Sequence, residues 1–305
     1  MSIESQKNLL KLIEKSKKHL QEDETRKSES LRLFREWLNR HPYIKRCRND
    51  DNFLLQFLRT RKYSISDAFN TFEKHFLLRE KRPEWFDASP RKIERIKDLA
   101  RVGFHYVLSD LERNGEATYV VNTERFNLEK YGPDDAFGSA YLTAGIGFES
   151  EITQHLGVFY VLDYSATDKN YFAMGTPKVL YDWATSLDAM PGKYKKIFVI
   201  GLSPIYYTIL NIVKMALTDK MRNRLYFLKD PKDLSKHISP MILPKKFGGI
   251  KTESEMIENY LQRVDKFADK LRESNDYEID VIGLTDFKQK KINNSFSSFR
   301  KLEVD

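Results

Sequence analysis

Short apolar runs alternate with long helical patterns after Pro90, and this alternation restricts the possible folds more than any other feature. The runs are rich in β-branched and aromatic residues and occupy positions 102–108, 117–121, 158–162 and 197–200. Helical patterns at 134–154 and 176–189 separate the last three runs. Strands that alternate with helices are typical of a mainly parallel sheet whose apolar strands are covered on both faces. The pattern therefore predicts an α/β fold.

The region before Pro90 is predicted to be helical, without a strand. Apolar residues recur at helical spacing in 9–20 and 30–40, and Asp50 and Ser64 stand where helix N-caps are expected. Near the other end, 254–272 have the pattern of an amphipathic helix, and 277–284 alternate as an edge strand does. We therefore predict three parts: a helical unit at 1–92, an α/β domain at 93–250, and a C-terminal helix and tail at 251–305.

Composition and the distribution of apolar residues exclude several classes of protein. With 41% hydrophobic residues, 31% charged residues, 13 Gly and 10 Pro, the chain is not collagen-like, low-complexity or an integral membrane protein. The longest apolar run, 205–217, is shorter than the ~20 residues that a membrane-spanning helix needs. The N-terminal residues lack the apolar core of a signal peptide, and a single cysteine fits a reducing compartment. A cytoplasmic protein is predicted.

The motifs of common enzymes are missing from the sequence. There is no phosphate-binding GxxxxGK[ST] loop and no GxSxG nucleophile motif. Gly145 and Gly147 follow a helical pattern, without the strand and the third glycine of a dinucleotide site. The six histidines show no metal-ligand spacing. We therefore predict no enzyme, no cofactor and no metal. An enzyme acting on a hydrophobic substrate would need a constellation drawn from His105, Glu149, His155 and Asp163.

Two stretches carry unusually many apolar residues for helices of a layered fold. Residues 205–217 are apolar around most of a helix circumference, so they must be buried on several sides or cover something apolar. Earlier in the chain, Phe137 and Tyr141 alternate with the small residues Ala140 and Ala144. Aromatic walls with small residues between them suit either close core packing or a ligand space. The residues alone leave both interpretations open.

A basic stretch follows the apolar one. The chain has a net charge of +8, and residues 193–251 contain 13 Lys or Arg but three acids. Lys220 and Arg224 are four residues apart, so on a helix they are neighbours that repel unless an anion lies between them. A nucleic acid is the less favoured partner, because the nearby Tyr206 and Tyr207 lie in the apolar run. An anionic membrane surface is favoured, and a solvated helix face is the simplest alternative.

Several motifs resemble the CRAL-TRIO lipid-binding family. Residues 51–62 (DNFLLQFLRTRK) resemble its N-terminal helical motif, whereas 158–163, 197–217 and 243–249 (LPKKFGG) resemble its lipid-binding domain. The motifs occur in the family order over about residues 30–265. The resemblance is nearest to the tocopherol-transfer, retinaldehyde-binding and clavesin branches.

This resemblance implies an α/β/α cage that holds one small hydrophobic lipid, such as a tocopherol, retinoid or carotenoid. The cage has an all-helical N-terminal subdomain and a mobile lid helix, here 204–217. The tocopherol-transfer branch has serines where this chain has Ala140 and Ala144, so these positions offer no hydroxyl group to a cargo. The residues that the resemblance places around the lipid are Phe137, Ala140, Tyr141, Ala144, Leu162, Tyr206, Ile209, Leu210 and Val213.

The resemblance also implies recognition of phosphatidylinositol bisphosphate in a basic cleft beside the lid. Its positions fall on Arg61, Lys193, Lys220 and Arg224. The predicted protein is thus a monomeric lipid carrier that works at the periphery of membranes. An adaptor that reads phosphoinositides without carrying cargo is the alternative.

Overall fold

The computed structural model describes residues 3–286 and contains two sheets. Five strands form the central sheet in the order β2-β3-β4-β5-β6, and two short strands, β1 and β7, pair separately. The strands are β1 (Ile44–Arg46), β2 (His105–Val107), β3 (Ala117–Asn122), β4 (Val158–Asp163), β5 (Tyr194–Ile200), β6 (Leu225–Leu228) and β7 (Glu278–Ile279).

The central sheet confirms the predicted α/β class. Strands β3, β4, β5 and β6 are parallel, and β2 is antiparallel to β3 at one edge. The predicted strand at 102–108 is shorter than expected, because Gly103 turns the chain with a φ of 80°. Strand β6 was not predicted, since its four residues begin only two residues after a helix and two of them are exposed.

The helices lie before the sheet, between its strands and after it. They are α1 (Ile3–Leu20), α2 (Glu24–Arg40), α3 (Asp51–Thr60), α4 (Ile65–Lys81), α5 (Pro83–Phe86), α6 (Pro90–Arg101), α7 (Pro133–Phe148), α8 (Glu151–Leu156), α9 (Pro177–Ala189), α10 (Tyr207–Ala216), α11 (Asp219–Arg222) and α12 (Glu253–Arg272). Asp50 caps α3 by accepting a hydrogen bond from the Phe53 amide, whereas Ser64 occupies the cap position of α4 without a side-chain bond. Within residues 3–286, no helix has both the length and the apolar character for crossing a membrane.

The prediction that the N-terminal region contains no strand was wrong. Strand β1 pairs antiparallel with β7, with Ile44 opposite Ile279. The predicted strand at 277–284 is reduced to these two residues of β7, and it does not join the central sheet. A pairing over such sequence distance leaves no local pattern, because each strand is too short to show alternation. The predicted division into 1–92, 93–250 and 251–305 stays a prediction, and 287–305 lie outside the described residues.

The helical pattern at 134–154 is interrupted in the structure. Helix α7 ends at Phe148 and α8 begins at Glu151, and Glu149 between them faces a set of polar partners. Its carboxylate accepts hydrogen bonds from Arg48 at 2.7 Å and Asn52 at 2.9 Å, and pairs with Lys270 at 2.5 Å; these three partners are half-buried, whereas the Glu149 side chain is buried. Burial alone would raise the pKa of Glu149, but the bonds from Arg48 and Lys270 outweigh it and lower the pKa. Glu149 therefore ties the N-terminal helices to α7 and α12.

Glu149→Gln is expected to lower the free energy of unfolding by about 2–3 kcal/mol, because it leaves Arg48 without its buried counter-charge. Denaturant unfolding measures this, with the exposed Glu273→Gln as the matched control. The difference in free energy of unfolding between the wild type and Glu149→Gln should be largest at neutral pH. It should shrink as pH falls through the lowered pKa of Glu149, because the carboxylate then becomes protonated. Equal stability of the two variants would contradict this role.

Candidate functional site

A large cavity lies between the central sheet and the helices on one of its faces. Strands β3, β4 and β5 form its floor, and α7, α9 and α10 form its walls. The 3-10 segment Lys169–Met174 completes the rim. The cavity contains about 1160 Å³ of empty space, including its open mouth. A concave, mainly apolar space of this kind is typical of small-molecule binding sites.

The lining of this main cavity is aliphatic and aromatic. Among the described residues that line it, none is Asp, Glu, Lys, Arg or His. An ionised ligand group would therefore be desolvated there without a counter-charge, which is very costly. The cavity favours an uncharged, mainly apolar molecule.

A smaller lobe adjoins the main cavity. The two spaces share Ala140, Tyr160, Trp183, Leu187 and Ile197 in their walls. We call this space the small lobe. Its described lining residues are Ala140, Tyr141, Ala144, Tyr160, Trp183, Leu187, Tyr194 and Ile197.

The nine residues that the resemblance places around a lipid fall into two groups. Tyr141 and Ala144 line the small lobe and are not part of the main cavity wall. Helix α7 turns Tyr141 toward Trp85, with ring centroids 5.2 Å apart, and its hydroxyl group donates to Ser186. The other seven line the main cavity: Phe137, Ala140, Leu162, Tyr206, Ile209, Leu210 and Val213.

Sequence reasoning missed several aromatic residues of the lining. Tyr160 lies two residues before Leu162 on β4, so strand periodicity could have placed both on one face. Tyr164, Tyr171 and Phe172 follow β4 in an otherwise polar segment. Isolated aromatic residues in a polar loop indicate that the loop contacts something apolar. They do not show which part of the molecule, or which ligand, they contact.

The mouth of the main cavity is covered by a short helix, which we call the lid helix: the turn Pro204–Tyr206 and α10. The Tyr206 ring stacks on Phe172, with centroids 3.8 Å apart. At the other end, Arg222 donates hydrogen bonds to the carbonyl oxygens of Lys214 and Leu217 at 3.0 and 2.5 Å. No residue of α10 is fully buried.

The two sides of the lid helix explain why its sequence is apolar around most of the circumference. Its inner side lines the cavity, whereas Ile205, Tyr207 and Met215 are 76%, 51% and 83% exposed. Phe227 on the adjacent strand β6 is 47% exposed. These four residues form the outer patch. Contiguous exposed apolar residues mark surfaces that meet another protein or a membrane.

The predicted phosphoinositide-binding residues lie close enough to influence one another. Burial, then Lys195, Lys62 and Arg224, lower the pKa of Lys193 to about 8. The pKa of Lys220 is lowered by burial and then by Arg224, Arg61 and Lys62. Sequence reasoning missed Lys62. We call Arg61, Lys62, Lys193, Lys220 and Arg224 the basic cluster.

The members of the basic cluster differ in how they are paired. Arg61 donates to Asp188 at 3.0 Å, and Asp188 also accepts from Lys74 at 2.7 Å. Lys193 donates to the carbonyl oxygen of His155 at 2.8 Å. Within residues 3–286, Lys193, Lys220 and Arg224 form no ion pair with a carboxylate. Several positive charges therefore remain available to an anion.

The expected spacing of Lys220 and Arg224 along one helix needs a correction. Helix α11 ends at Arg222, and Arg224 lies in the following turn just before β6. The Arg224 amide still donates to Met221, three residues earlier, at 3.0 Å. The two side chains thus lie on the same side through a turn, not through a regular helix.

The structure does not assemble the constellation that an enzyme would need. His105 bonds to Ser139 at 3.0 Å, and Asp163 pairs with Lys246 at 2.8 Å. Burial lowers the pKa of His105 to about 3 and that of His155 to about 4, so both are neutral near pH 7. His105 and Asp163 have these separate contacts, whereas Glu149 and His155 are connected only indirectly, through Asn52, Gln154, Arg59 and Glu151.

One cluster has the residue types of a metal site. Glu22, Glu151 and His155 place ligand atoms within 4.8 Å of one another. However, Arg59 donates to Glu22 at 2.6 Å and to Glu151 at 3.0 Å. Its guanidinium already supplies the positive charge at this point. The cluster is an ion-pair network that joins the turn between α1 and α2 to α3 and α8.

Comparison with known proteins identifies related chains. The protein named alpha-tocopherol transfer protein-like of Mus musculus is 27% identical over 241 residues, which cover 78% of this chain and 69% of that protein. Clavesin-2 of Homo sapiens is 24% identical over 240 residues, which cover 78% of this chain and 73% of that protein. The crystal structure of Sfh5 aligns with a TM-score of 0.48 and 9% identity, over 77% of this chain and 92% of that chain.

A family match covers the part of the chain that contains the cavity. Residues 101–249, from the end of α6 to the segment after β6, match the family described as the CRAL/TRIO domain. The first of these relatives is named for a transfer protein, in agreement with the prediction of a non-enzymatic protein. The resemblance of the sequence motifs is thus confirmed, since residues 101–249 match the CRAL/TRIO domain.

Proposed function

We propose that this protein is a carrier that encloses one small hydrophobic lipid in the main cavity and exchanges it with membranes. The observation that carries the proposal is a large cavity without charged lining residues, covered by the lid helix. The name of one relative points to alpha-tocopherol as one candidate cargo, and retinoids and carotenoids have the same apolar character. The carrier acts as a monomer in the cytoplasm and contacts membranes peripherally.

The energetics of burial require a trigger for release. Enclosing about 400–500 Å² of apolar ligand surface contributes about 10–12 kcal/mol before costs, at ~25 cal/mol per Å². Ordering of the ligand and the lid reduces this sum, but release from a closed cavity stays slow. The outer patch offers a trigger, because its residues gain an apolar environment when the lid helix meets a membrane.

The basic cluster supports recognition of phosphatidylinositol bisphosphate. Arginine donates two parallel hydrogen bonds to a phosphate, and lysine adds a compact charge. Two adjacent phosphates need several such groups, and five cations lie together here. The cluster includes Lys220 and Arg224, which follow the lid helix in the chain, so a bound head group would hold the lid side of the protein at the membrane.

Native mass spectrometry followed by organic extraction tests the carrier function. The wild-type protein is expected to carry a single lipid per chain, and Ala140→Phe is expected to reduce this by about tenfold or more because the new ring fills the cavity. Ala173→Phe is the matched control, since Ala173 is exposed between two lining residues. An empty wild-type protein that binds phosphoinositides tightly would favour the adaptor alternative.

A further inference from the structure

Two hydrogen bonds hold Lys193 in place within the basic cluster. Its backbone carbonyl oxygen accepts a hydrogen bond from the Val158 amide at 2.9 Å, which fixes the residue directly before β5. Its amino group donates to the carbonyl oxygen of His155 at 2.8 Å. Because that carbonyl takes one N–H of the amine, the lone pair of the uncharged amine points away from it. The residue is half-buried, so the nitrogen is fixed in position and still open to small molecules.

The surroundings of this amine favour its uncharged form. Burial is the largest cause, and positive charges follow from Lys195 on β5, Lys62 after α3 and Arg224 before β6. The buried carboxylate of Glu116 acts in the opposite direction, but more weakly. The pKa of Lys193 is lowered to about 8 as a result. Near neutral pH, a substantial share of Lys193 is therefore a nucleophilic amine, unlike an ordinary lysine with a pKa of ~10.4.

The same neighbours can hold a phosphate group beside the amine. Among the described residues, the Arg224 guanidinium has one hydrogen-bond contact, with the sulfur of Met221 at 3.9 Å. Lys62 is exposed. A guanidinium donates two parallel hydrogen bonds to a phosphate, and an ammonium group adds a compact charge. A nucleophilic amine and two groups that bind phosphate therefore lie close together.

We propose that Lys193 is a site of covalent acylation by acyl phosphates, the mixed anhydrides of a carboxylic acid and phosphoric acid. The phosphate group binds to Arg224 and Lys62, which brings the acyl carbon to the Lys193 nitrogen. The nitrogen lone pair attacks that carbon and forms an amide bond. The bond between the carbon and the phosphate oxygen breaks, phosphate leaves with the electron pair, and one amine proton passes to solvent.

Acylation removes one positive charge from the basic cluster and leaves a neutral amide. An amide no longer offers the charged donor that a phosphate prefers, so docking on phosphatidylinositol bisphosphate should weaken. This consequence rests on the phosphoinositide recognition proposed above, whereas the acylation itself does not. The modification thus couples the supply of acyl phosphates to membrane docking.

Acetyl phosphate and N-acetoxysuccinimide provide a test, because both transfer an acetyl group and only the first carries a phosphate. Each is applied to the full chain near neutral pH, and peptide mass spectrometry follows the acetylation of each lysine. With acetyl phosphate, Lys193 is expected to react about tenfold or more faster than the exposed Lys229. Its rate should rise with pH and level off above about 8. A rate no higher than that of Lys229 would overturn the proposal.

The variant Arg224→Gln separates phosphate binding from the reactivity of the amine. At Lys193, it should lower the ratio of the acetyl phosphate rate to the N-acetoxysuccinimide rate by about tenfold or more. Lys232→Gln is the matched control, since it removes an exposed charge outside the basic cluster and should leave the ratio unchanged. An unchanged ratio in Arg224→Gln would overturn the assignment of acyl phosphates. Thermal unfolding of each variant checks that the fold is retained.

The variant Lys193→Arg tests the consequence for docking, because arginine keeps the charge and stays protonated. Treatment with acetyl phosphate should lower the affinity of the wild type for vesicles with phosphatidylinositol bisphosphate by about tenfold, and should leave that of Lys193→Arg unchanged. Equal losses in both proteins would contradict the coupling to docking. If the untreated wild type does not prefer these vesicles, the proposed phosphoinositide recognition fails, and the acetylation rates alone decide whether Lys193 is the modified site.

Discussion

Replacing both Ile205 and Met215 with aspartate is expected to lower membrane affinity and cargo transfer by about 100-fold or more while leaving bound cargo in place. Both side chains are more than three-quarters exposed and lie on the outer patch. Fully burying an apolar side chain of this size contributes about 1.5–3 kcal/mol, and a carboxylate opposes insertion. Transfer of a fluorescent lipid between vesicles measures the rate.

A matched control separates the outer patch from added charge. Thr208→Asp/Asn211→Asp places the same two charges on exposed polar positions of the same helix, and we expect a much smaller loss of transfer. Wild-type transfer by the Ile205→Asp/Met215→Asp variant would show that the outer patch does not enter the membrane.

Substitution on the inner side of the lid helix has a different expected result. Ile209 and Val213 line the main cavity, so their replacement with aspartate should expel the cargo instead of acting only on docking. In the structure both residues line the cavity, whereas the outer patch is exposed and is the part that we propose meets the membrane.

Lys220→Ala/Arg224→Ala is expected to lower affinity for vesicles with phosphatidylinositol bisphosphate by about 100-fold or more. Hydrogen bonds to charged groups contribute about 1.5–3 kcal/mol each, and both residues lack a carboxylate partner within residues 3–286. Affinity for singly charged lipids should fall by less than about tenfold at physiological salt, because screening weakens a purely long-range attraction. Bound cargo should be retained.

Two further measurements make this test specific. Lys229→Ala/Lys232→Ala removes the same charge from exposed positions outside the basic cluster and should leave the preference for the bisphosphate unchanged. Wild-type affinity should fall as pH rises through about 8, the lowered pKa at which Lys193 loses its charge. Equal losses of affinity for every anionic lipid would show that the basic cluster supplies only a general positive charge toward the membrane.

Local patterns were sufficient for the fold class and for most elements near the cavity. Strands β3, β4 and β5 stand out because parallel strands covered on both faces are apolar along their length. Residues 205–217 are too apolar for a helix with one solvated side, so this helix is either buried on several sides or covers something apolar. The resemblance to CRAL-TRIO proteins identified it as a lid. Each of these patterns is local, because the residues that show the pattern are the same residues that form the strand or the helix.

Other features depend on residues that are distant in the sequence, and no local pattern reveals them. Arg61 pairs with Asp188, 127 positions away, and β1 finds its partner in β7. Arg61 was identified from the sequence as a cation of the predicted cleft. Only the fold shows that the carboxylate of Asp188 already pairs with it.

The sequence by itself determined that the chain builds an α/β sheet, an apolar helix at 205–217 and a surplus of cations after it. Composition and periodicity can be recognised in the sequence because they concern residues within one or two neighbouring helical turns or strands. Only the tertiary structure decided which side of the lid helix faces the cavity, and that Tyr160 and Tyr194 share one small lobe. These outcomes arise from the packing of α7 and α9 over the sheet, because the space left between packed elements depends on all their side chains at once.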